Sequence, residues 1–384
     1  NDAEILPGPS MTFSGGRIHS NSDIYLNTST SSTFKIESNI TSAGDIYHRR
    51  KDSSSTPALV KIWDNNGIYQ DMNIDSDSAT WETESQTLWG GTVKSKEHEI
   101  YALNVPTGTG AGDPIDILGT GADSLSSKAG LRIIDGVAED KDGTPVDLTD
   151  GGTVANPIST KTFYDHREKK LITVTEVDML KLQGSANATT ALDDPPSGGD
   201  NGILYVSSTD GSESVRLTEG STLPTDGLTV ASDNPVYIQG DYNKTTNSPA
   251  AVICDAVTIL SESWDDTNCI DSSYTNLNDR IAANTTVNAA IMAGNKDTVG
   301  SDYSGGVENF PRFLENWSGK TFTYSGSLIC LWESQQATGN WKCASPVYSP
   351  PNRDWSYGIN ASNLPPGTPR VRNISKSGWH QAME

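Results

Sequence analysis

Short apolar pairs recur along the chain between clusters of Ser, Asn, Asp and Gly. Ile18-His-Ser-Asn-Ser-Asp-Ile24-Tyr25 returns 22 residues later as Ile40-Thr-Ser-Ala-Gly-Asp-Ile46-Tyr47, and a further 22 residues on stands Ile62-Trp-Asp-Asn-Asn-Gly-Ile68-Tyr69. A period of about 22 residues accommodates two or three short strands with their turns, which is one coil of a solenoid. Coils stacked through parallel backbone hydrogen bonds, about 4.8 Å apart, would place Ile18, Ile40 and Ile62 in one inward ladder. Ile24, Ile46 and Ile68 would form a second. β-branched side chains suit such ladders because they pack well on a pleated surface. Antiparallel hairpins in a sandwich are the alternative, but constant spacing with the same internal order favours the coil. The expected fold is all-β, a right-handed parallel β-helix.

Further apolar runs follow between turn formers: Ile203-Leu-Tyr-Val206, Leu228-Thr-Val230, Val236-Tyr-Ile238, Ala251-Val-Ile-Cys254, Val257-Thr-Ile-Leu260, Ala289-Ala-Ile-Met292, Phe322-Thr-Tyr324 and Ser327-Leu-Ile-Cys330. These predict strands of further coils, bounded by Pro235, Gly240, Pro249 and Gly294. The stretch between differs. Residues 107–156 read as loops, and Glu176-Val-Asp-Met-Leu-Lys-Leu182 is the one convincing helical segment, with Thr175 as its N-cap. The expected organisation is therefore N-terminal β-helical coils over 1–106, a loop-rich insertion with one short helix over 107–200, and C-terminal coils with a cap over 201–384.

The formal net charge of −22 argues against a nucleic-acid partner, since phosphate binding needs clustered Lys and Arg. No apolar run approaches the roughly 20 residues that span a bilayer, so no membrane span is expected. The chain opens with Asn1 rather than Met, as a processed product or an artificially trimmed chain would. Eight Asn-x-Ser/Thr sequons occur, at Asn27, Asn39, Asn187, Asn243, Asn284, Asn316, Asn360 and Asn373.

Four cysteines fit an oxidising, extracellular location. They allow three pairings, and the local one, Cys254–Cys269 with Cys330–Cys343, is expected; four buried thiols are the alternative. Neither pair has CxxC spacing and no His lies close to any of them, which disfavours zinc.

Several stretches resemble the C-terminal region of PilX-type pilus-assembly-associated bacterial surface proteins. They are Asn234-Pro-Val-Tyr-Ile-Gln-Gly-Asp-Tyr-Asn243, Pro249-Ala-Ala-Val-Ile-Cys-Asp-Ala-Val-Thr-Ile-Leu260, Asn309-Phe-Pro-Arg-Phe-Leu-Glu-Asn-Trp317, Leu331-Trp-Glu-Ser-Gln335 and Pro350-Pro-Asn-Arg-Asp-Trp355. Gly16-Arg-Ile-His-Ser-Asn21 resembles their N-terminal portion. The resemblance implies a location on the cell surface and association with pili or surface filaments, and it brings no catalytic residues. Members often carry an apolar N-terminal helix of pilin type, which the residues here do not show.

Candidate chemistry is sparse. Glu262, Asp265 and Asp266 follow a strand and could hold calcium, which takes six to eight oxygen ligands; a solvated turn is the plainer reading, so no cofactor is expected. Asp140-Lys-Asp-Gly143 lacks the spaced ligands of a calcium loop and reads as a turn. His19, His48, His98, His166 and His380 suit polar surface roles. Five of the nine tryptophans, Trp317, Trp332, Trp341, Trp355 and Trp379, crowd the last part of the chain. They read first as an aromatic cap covering a solenoid end, with Pro346 to Pro369 wrapping the body as a strap. The first four are also the candidate contacts for a ligand or partner. The expected function is a non-catalytic structural or adhesive surface protein that self-associates or joins filament components. A polysaccharide-active enzyme and a carbohydrate-binding module are the alternatives.

Overall fold

Ile24 pairs with Ile46, and Tyr25 with Tyr47, across two parallel strands, so the first two copies of the repeat stand in register. The structure is a computed structural model that describes residues 2–52, 57–103, 117–119, 121, 124–195, 201–210, 213–359 and 363–368. Among the described residues four sheets, mostly parallel, are accompanied by four α-helices described over their whole length.

The N-terminal body contains two of the sheets. Strands β1 (Ala3–Ile5), β3 (Ile24–Leu26) and β5 (Ile46–Tyr47) form the smaller. The other combines β2 (Met11–Ser20), β4 (Thr33–Ser42), β6 (Leu59–Trp63), β7 (Tyr69–Asp71) and β8 (Val93–Lys94). Between them lies a core that includes Ile24, Phe34, Ile36, Ile40, Ile46 and Ile62. Helix α1 (Trp81–Trp89) closes it by burying Trp81 and Trp89, whose rings meet at 5.9 Å, while Trp81 Nε1 donates to Ser95 Oγ at 2.8 Å.

The third copy of the repeat departs from the expected ladders. Ile18 does pair with Ile40, but Ile40 continues to Val93, and Ile62 pairs with Ile36. Ile68 is 58% exposed. Here Asp64-Asn-Asn-Gly67 makes a tight turn: Asp64 Oδ1 accepts from the amides of Asn66 and Ile68, and Gly67 adopts φ 75°. That turn sends β7 back antiparallel to β6, pairing Trp63 with Tyr69. Three residues separate the paired Asp64 and Ile68, and a loop of that length with Gly in the left-handed position is a common hairpin connection; it overrides the 22-residue period.

The C-terminal body contains the two larger sheets. Eight strands run in the order β10 (Val137–Asp140), β9 (Leu131–Ile134), β13 (Ile203–Ser207), β15 (Leu228–Ala231), β17 (Ala250–Cys254), β19 (Thr285–Ala293), β21 (Thr321–Ile329) and β22 (Asn352–Tyr357). Six run in the order β11 (Ile158–Asp165), β12 (Lys170–Asp178), β14 (Glu213–Thr218), β16 (Val236–Gln239), β18 (Val257–Leu260) and β20 (Arg312–Phe313). Only the β9–β10 and β11–β12 pairs are antiparallel in these two sheets.

Side chains of both sheets share one core, among them Leu204, Val206, Val230, Val252 and Ile291 from the larger and Val215, Leu217, Ile238 and Ile259 from the smaller. Burying each aliphatic side chain contributes about 1.5–3 kcal/mol. The opposite face of β13 is covered as well. Ile203 and Tyr205 pack with Leu118, Ala129 and Trp332, and with Leu125 of helix α2 (Leu125–Lys128). Two-sided burial of a parallel strand explains why Ile203 to Val206 is an unbroken apolar run.

The all-β, right-handed β-helix is therefore corrected to a mixed α/β arrangement whose separate sheets do not form a solenoid. Within 107–156, read as loops, β9 and β10 join the eight-stranded sheet, and β11 and β12 follow that stretch in the six-stranded one. The helix expected at 176–182 is displaced too: Thr175 to Asp178 belong to β12, because Thr173, Val174, Thr175 and Val177 favour a pleated strand. Helix α3 (Met179–Gly184) starts only at Met179, where the Asp178 side chain accepts from the Lys181 amide at 2.9 Å. Helix α4 (Ala186–Asp193) follows directly, capped by Ser185.

The expected disulfides are corrected as well. All four cysteines are free. Cys254 Sγ turns to the Ala256 carbonyl at 3.2 Å, whereas Cys269 Sγ donates to Tyr164 O at 2.8 Å on the edge of the six-stranded sheet. Cys330 turns to Trp332 O at 3.5 Å. Cys254 and Cys330 are oriented by local backbone and Cys269 by a remote strand, so the cysteines no longer support an oxidising location. Among the described residues no helix is long and apolar enough to cross a membrane.

Candidate functional site, an amide-lined groove

A groove of about 590 Å³, including its open mouth, crosses β17, β19 and β21 and reaches the turn after β22. Its wall begins with a loop folded around Asn243, which is fully buried and adopts φ 53°. Asn243 Nδ2 donates to Ser248 O at 2.7 Å and Asn288 O at 2.8 Å, while its Oδ1 accepts from Ser248 N at 2.9 Å. This side chain does the work of a strand pair where the backbone turns. Asn tolerates the left-handed region because its short polar side chain bonds locally. The consequence is that Asn247 and Ser248 are held at the groove mouth.

Asn288 on β19 and Ser325 on β21 form the floor, and Asn363 and Pro365 the far side. Gly358 lets the chain close over that floor, since a Cβ there would lie 2.1 Å from Ser325 Oγ. The following segment is fastened to the sheet: Thr229 Oγ1 donates to Pro366 O at 2.6 Å. The lining consists of amides, hydroxyls and apolar Pro, Ala and Ile surface, with no ionisable side chain.

Ionisable groups are buried elsewhere, and their hydrogen bonds go to the fold. Asp255 accepts from Ser334 Oγ at 2.6 Å and from the amides of Gln336 and Ala337 at 3.1 and 3.0 Å. Glu315 accepts from Ser261 N at 2.6 Å and Ser261 Oγ at 2.7 Å, and burial pushes its carboxyl up to about 7. Arg216 is clamped between Glu176 and Asp266, with the latter pair bidentate at 2.7 and 2.9 Å. Arg312 pairs with Glu168 at 2.6 Å inside the protein. Arg167 lies nearby, lowered to about 9 by burial and then by the Arg312 charge. Strands with a charge inside an apolar run, such as Ser214-Val-Arg-Leu217 and Phe310-Pro-Arg-Phe313, were the sequence signal for these ion pairs.

The tryptophans expected at a contact surface are mostly structural. Trp317 is fully buried against Phe313 and Phe322, and Trp332 is 5% exposed in the outer core of β13. Trp341 is half-buried, donating from Nε1 to Tyr348 OH at 3.0 Å and meeting Tyr303 edge-on. Trp355 is half-buried between the two main cores. Trp379 lies outside the described residues.

The calcium candidates do not converge. Asp266 faces Arg216 and Asp265 caps a short 3-10 turn through Thr267. Among the described residues no three His, Cys, Asp or Glu side chains form a metal-binding group. Asp140 Oδ1 accepts from the amides of Asp142 and Thr144 at 2.9 Å, the turn expected there. His166 is buried rather than on the surface, and burial with the Arg280 charge pushes its imidazole down. His380 lies outside the described residues.

No protein-family model, curated protein or solved structure matches the chain. The PilX-type resemblance rests on the sequence stretches alone.

Proposed function

We propose that this protein is a non-catalytic structural and adhesive surface protein whose groove receives a neutral glycan. An extracellular location, self-association and contact with pili or surface filaments belong to the same proposal. The observation that carries it is the lining of the groove. Asn247, Ser248, Asn288, Ser325 and Asn363 present amides and hydroxyls without a single charged side chain. Amide and hydroxyl groups can donate to and accept from sugar hydroxyls alike. Pro and Ile surface beside them suits the apolar faces of a sugar ring. The net charge of −22 would repel an acidic polysaccharide, which selects for neutral ones. Glu308 and Glu315, whose carboxyls burial pushes up to about 7, hold backbone amides inside the protein, as scaffold residues do.

The test is a glycan array followed by titration calorimetry of the neutral hits. Asn247→Gly removes an amide while keeping the left-handed backbone at φ 49°, and Asn363→Ala removes the opposite one. Each is expected to weaken binding about tenfold, the value of one lost hydrogen bond of about 1.4 kcal/mol. Failure of any neutral glycan to bind, or equal affinity of the variants and the parent, would overturn the reading.

A further inference from the structure

The N-terminal and C-terminal bodies each have their own core, and they meet along an unusual seam. Strand β2 lies beside β22, yet among the described residues no backbone ladder pairs the two strands. Contact is made by side chains. Phe13 stacks on Trp355, Tyr357 covers Gly15 and Gly16, and Arg50 sits 4.7 Å over the Tyr303 ring.

Two carboxyl groups are enclosed in this seam. Glu4 on β1 accepts from Thr298 Oγ1 through Oε1, while its Oε2 is buried with no hydrogen-bond partner among the described residues. Glu308, 3% exposed, reaches across in the other direction: its Oε2 accepts from the Leu6 amide at 3.2 Å. Its Oε1 accepts from Tyr303 OH at 3.3 Å. The charged groups around the pair are few. Arg353 faces Glu308 but donates to the Glu308 carbonyl at 2.8 Å and to Asn309 Oδ1 at 2.9 Å rather than to the carboxyl. Arg50, Lys51 and Asp52 act on Glu4, and Lys51 is engaged by Asp2 at 2.9 Å and faces Asp297.

We propose that this seam is a proton-operated latch, in which buried, protonated Glu308 and Glu4 hold the two bodies together and their ionisation releases the N-terminal body. A carboxylate without a direct counter-ion is costly in a dry seam and is stabilised by water once the seam opens. Burial pushes Glu308 up to about 7 and also raises Glu4. The sign follows. The closed seam keeps a proton that the open seam gives up above the ordinary value of 4.5. Closure is strongest below that pH, weakens as pH rises toward 7, and has lost the whole contribution above it. Opening uncovers Phe13 and Trp355, the aromatic pair at the sheet edges.

Hydrogen exchange of the full chain, followed on the peptide covering residues 2–12 and corrected for the intrinsic pH dependence, reads the latch directly. Between pH 5 and pH 8 the opening equilibrium should rise on the order of 50- to 100-fold. Glu308→Gln keeps the shape and the acceptor but cannot ionise, and should hold the rise below about threefold. Glu4→Gln gives a second variant, expected to lower opening at pH 8 by at least about threefold. Glu315→Gln, inside the C-terminal body, should leave the rise intact. A flat profile in the parent protein, a rise unchanged in both seam variants, or a rise abolished by Glu315→Gln would each overturn the latch.

Discussion

Phe13 and Trp355 stack with ring centroids 6.2 Å apart and planes 21° from parallel. Phe13 belongs to the second strand and Trp355 to the last, so the two ends of the described chain close on one another. Trp355 also meets Phe322 and Tyr324 edge-on, and it packs against both main cores.

Trp355→Ala should therefore cost about 2–3 kcal/mol, somewhat below the usual loss for a fully buried aromatic. Because the N-terminal core survives in its own right, denaturant unfolding should split into two transitions, with the N-terminal one first. A single transition shifted by less than about 0.5 kcal/mol would contradict the bridging role.

The Arg312–Glu168 pair gives a second expectation. Their side chains are 4% and 6% exposed, and Glu168 Oε2 also accepts from the Gly339 amide at 2.7 Å. Arg312→Ala leaves a buried carboxylate without its cation and should cost about 3–5 kcal/mol. Replacing both, Arg312→Met with Glu168→Leu, should recover most of that loss. In the single Arg312→Ala variant Arg167 should titrate higher, since the Arg312 charge that helps depress it is gone while Glu168 remains. A double-mutant cycle in urea measures the coupling.

Stability should fall as pH rises from about 4.5 toward 8. Glu308 and Glu315 are both raised to about 7 by burial, and Glu4 is raised in the same direction, so the folded protein holds protons that the unfolded chain releases. Each contribution is fully present below the unfolded value near 4.5 and lost as pH passes the folded one. Each amounts to at most about 3 kcal/mol. His166 works in the opposite direction, since its lowered value favours folding above its ordinary 6.5, but a single imidazole does not offset two carboxyls. Urea unfolding across this range should show the decline, and Glu315→Gln should make it clearly shallower. A stability that increases to pH 7 would refute the assignment.

The cysteines provide the fourth check. Alkylation of the denatured, unreduced protein should add four groups, matching four free thiols. In the folded protein Cys330, the exposed residue, should react slowly, since its thiol is pushed up to about 11, while Cys254 stays protected. Burial keeps the Cys254 thiol protonated as well as covered. Labelling that requires prior reduction would show disulfides instead.

Short-range patterns are legible in the sequence where a residue's neighbours along the chain are also its neighbours in space. The apolar runs at 203–206, 228–230, 236–238 and 257–260 all contribute to strands, because alternation and β-branching act locally. Parallel pairing in the first two repeats, Ile18 with Ile40 and Ile24 with Ile46, follows from their constant spacing. The turn at Asp64 to Gly67 was equally local, but its hairpin signal competed with the repeat and won.

What tertiary structure alone decided is how those strands are partitioned. A 22-residue period fixes which residues can stand side by side, yet strands at that spacing can belong to one continuous coil or to several sheets. The choice depends on the antiparallel returns at β7, β10 and β11 and on the helices that cover the sheets. The groove is of the same kind, since Asn247, Asn288, Ser325 and Asn363 come from four separate places in the chain. Glu4 and Glu308 become a buried pair only when the first strand meets the seam. Burial and proton affinity depend on what surrounds a carboxyl in space, and the contacts that carry these two acids across the seam, Thr298 for Glu4 and Leu6 for Glu308, are remote in sequence.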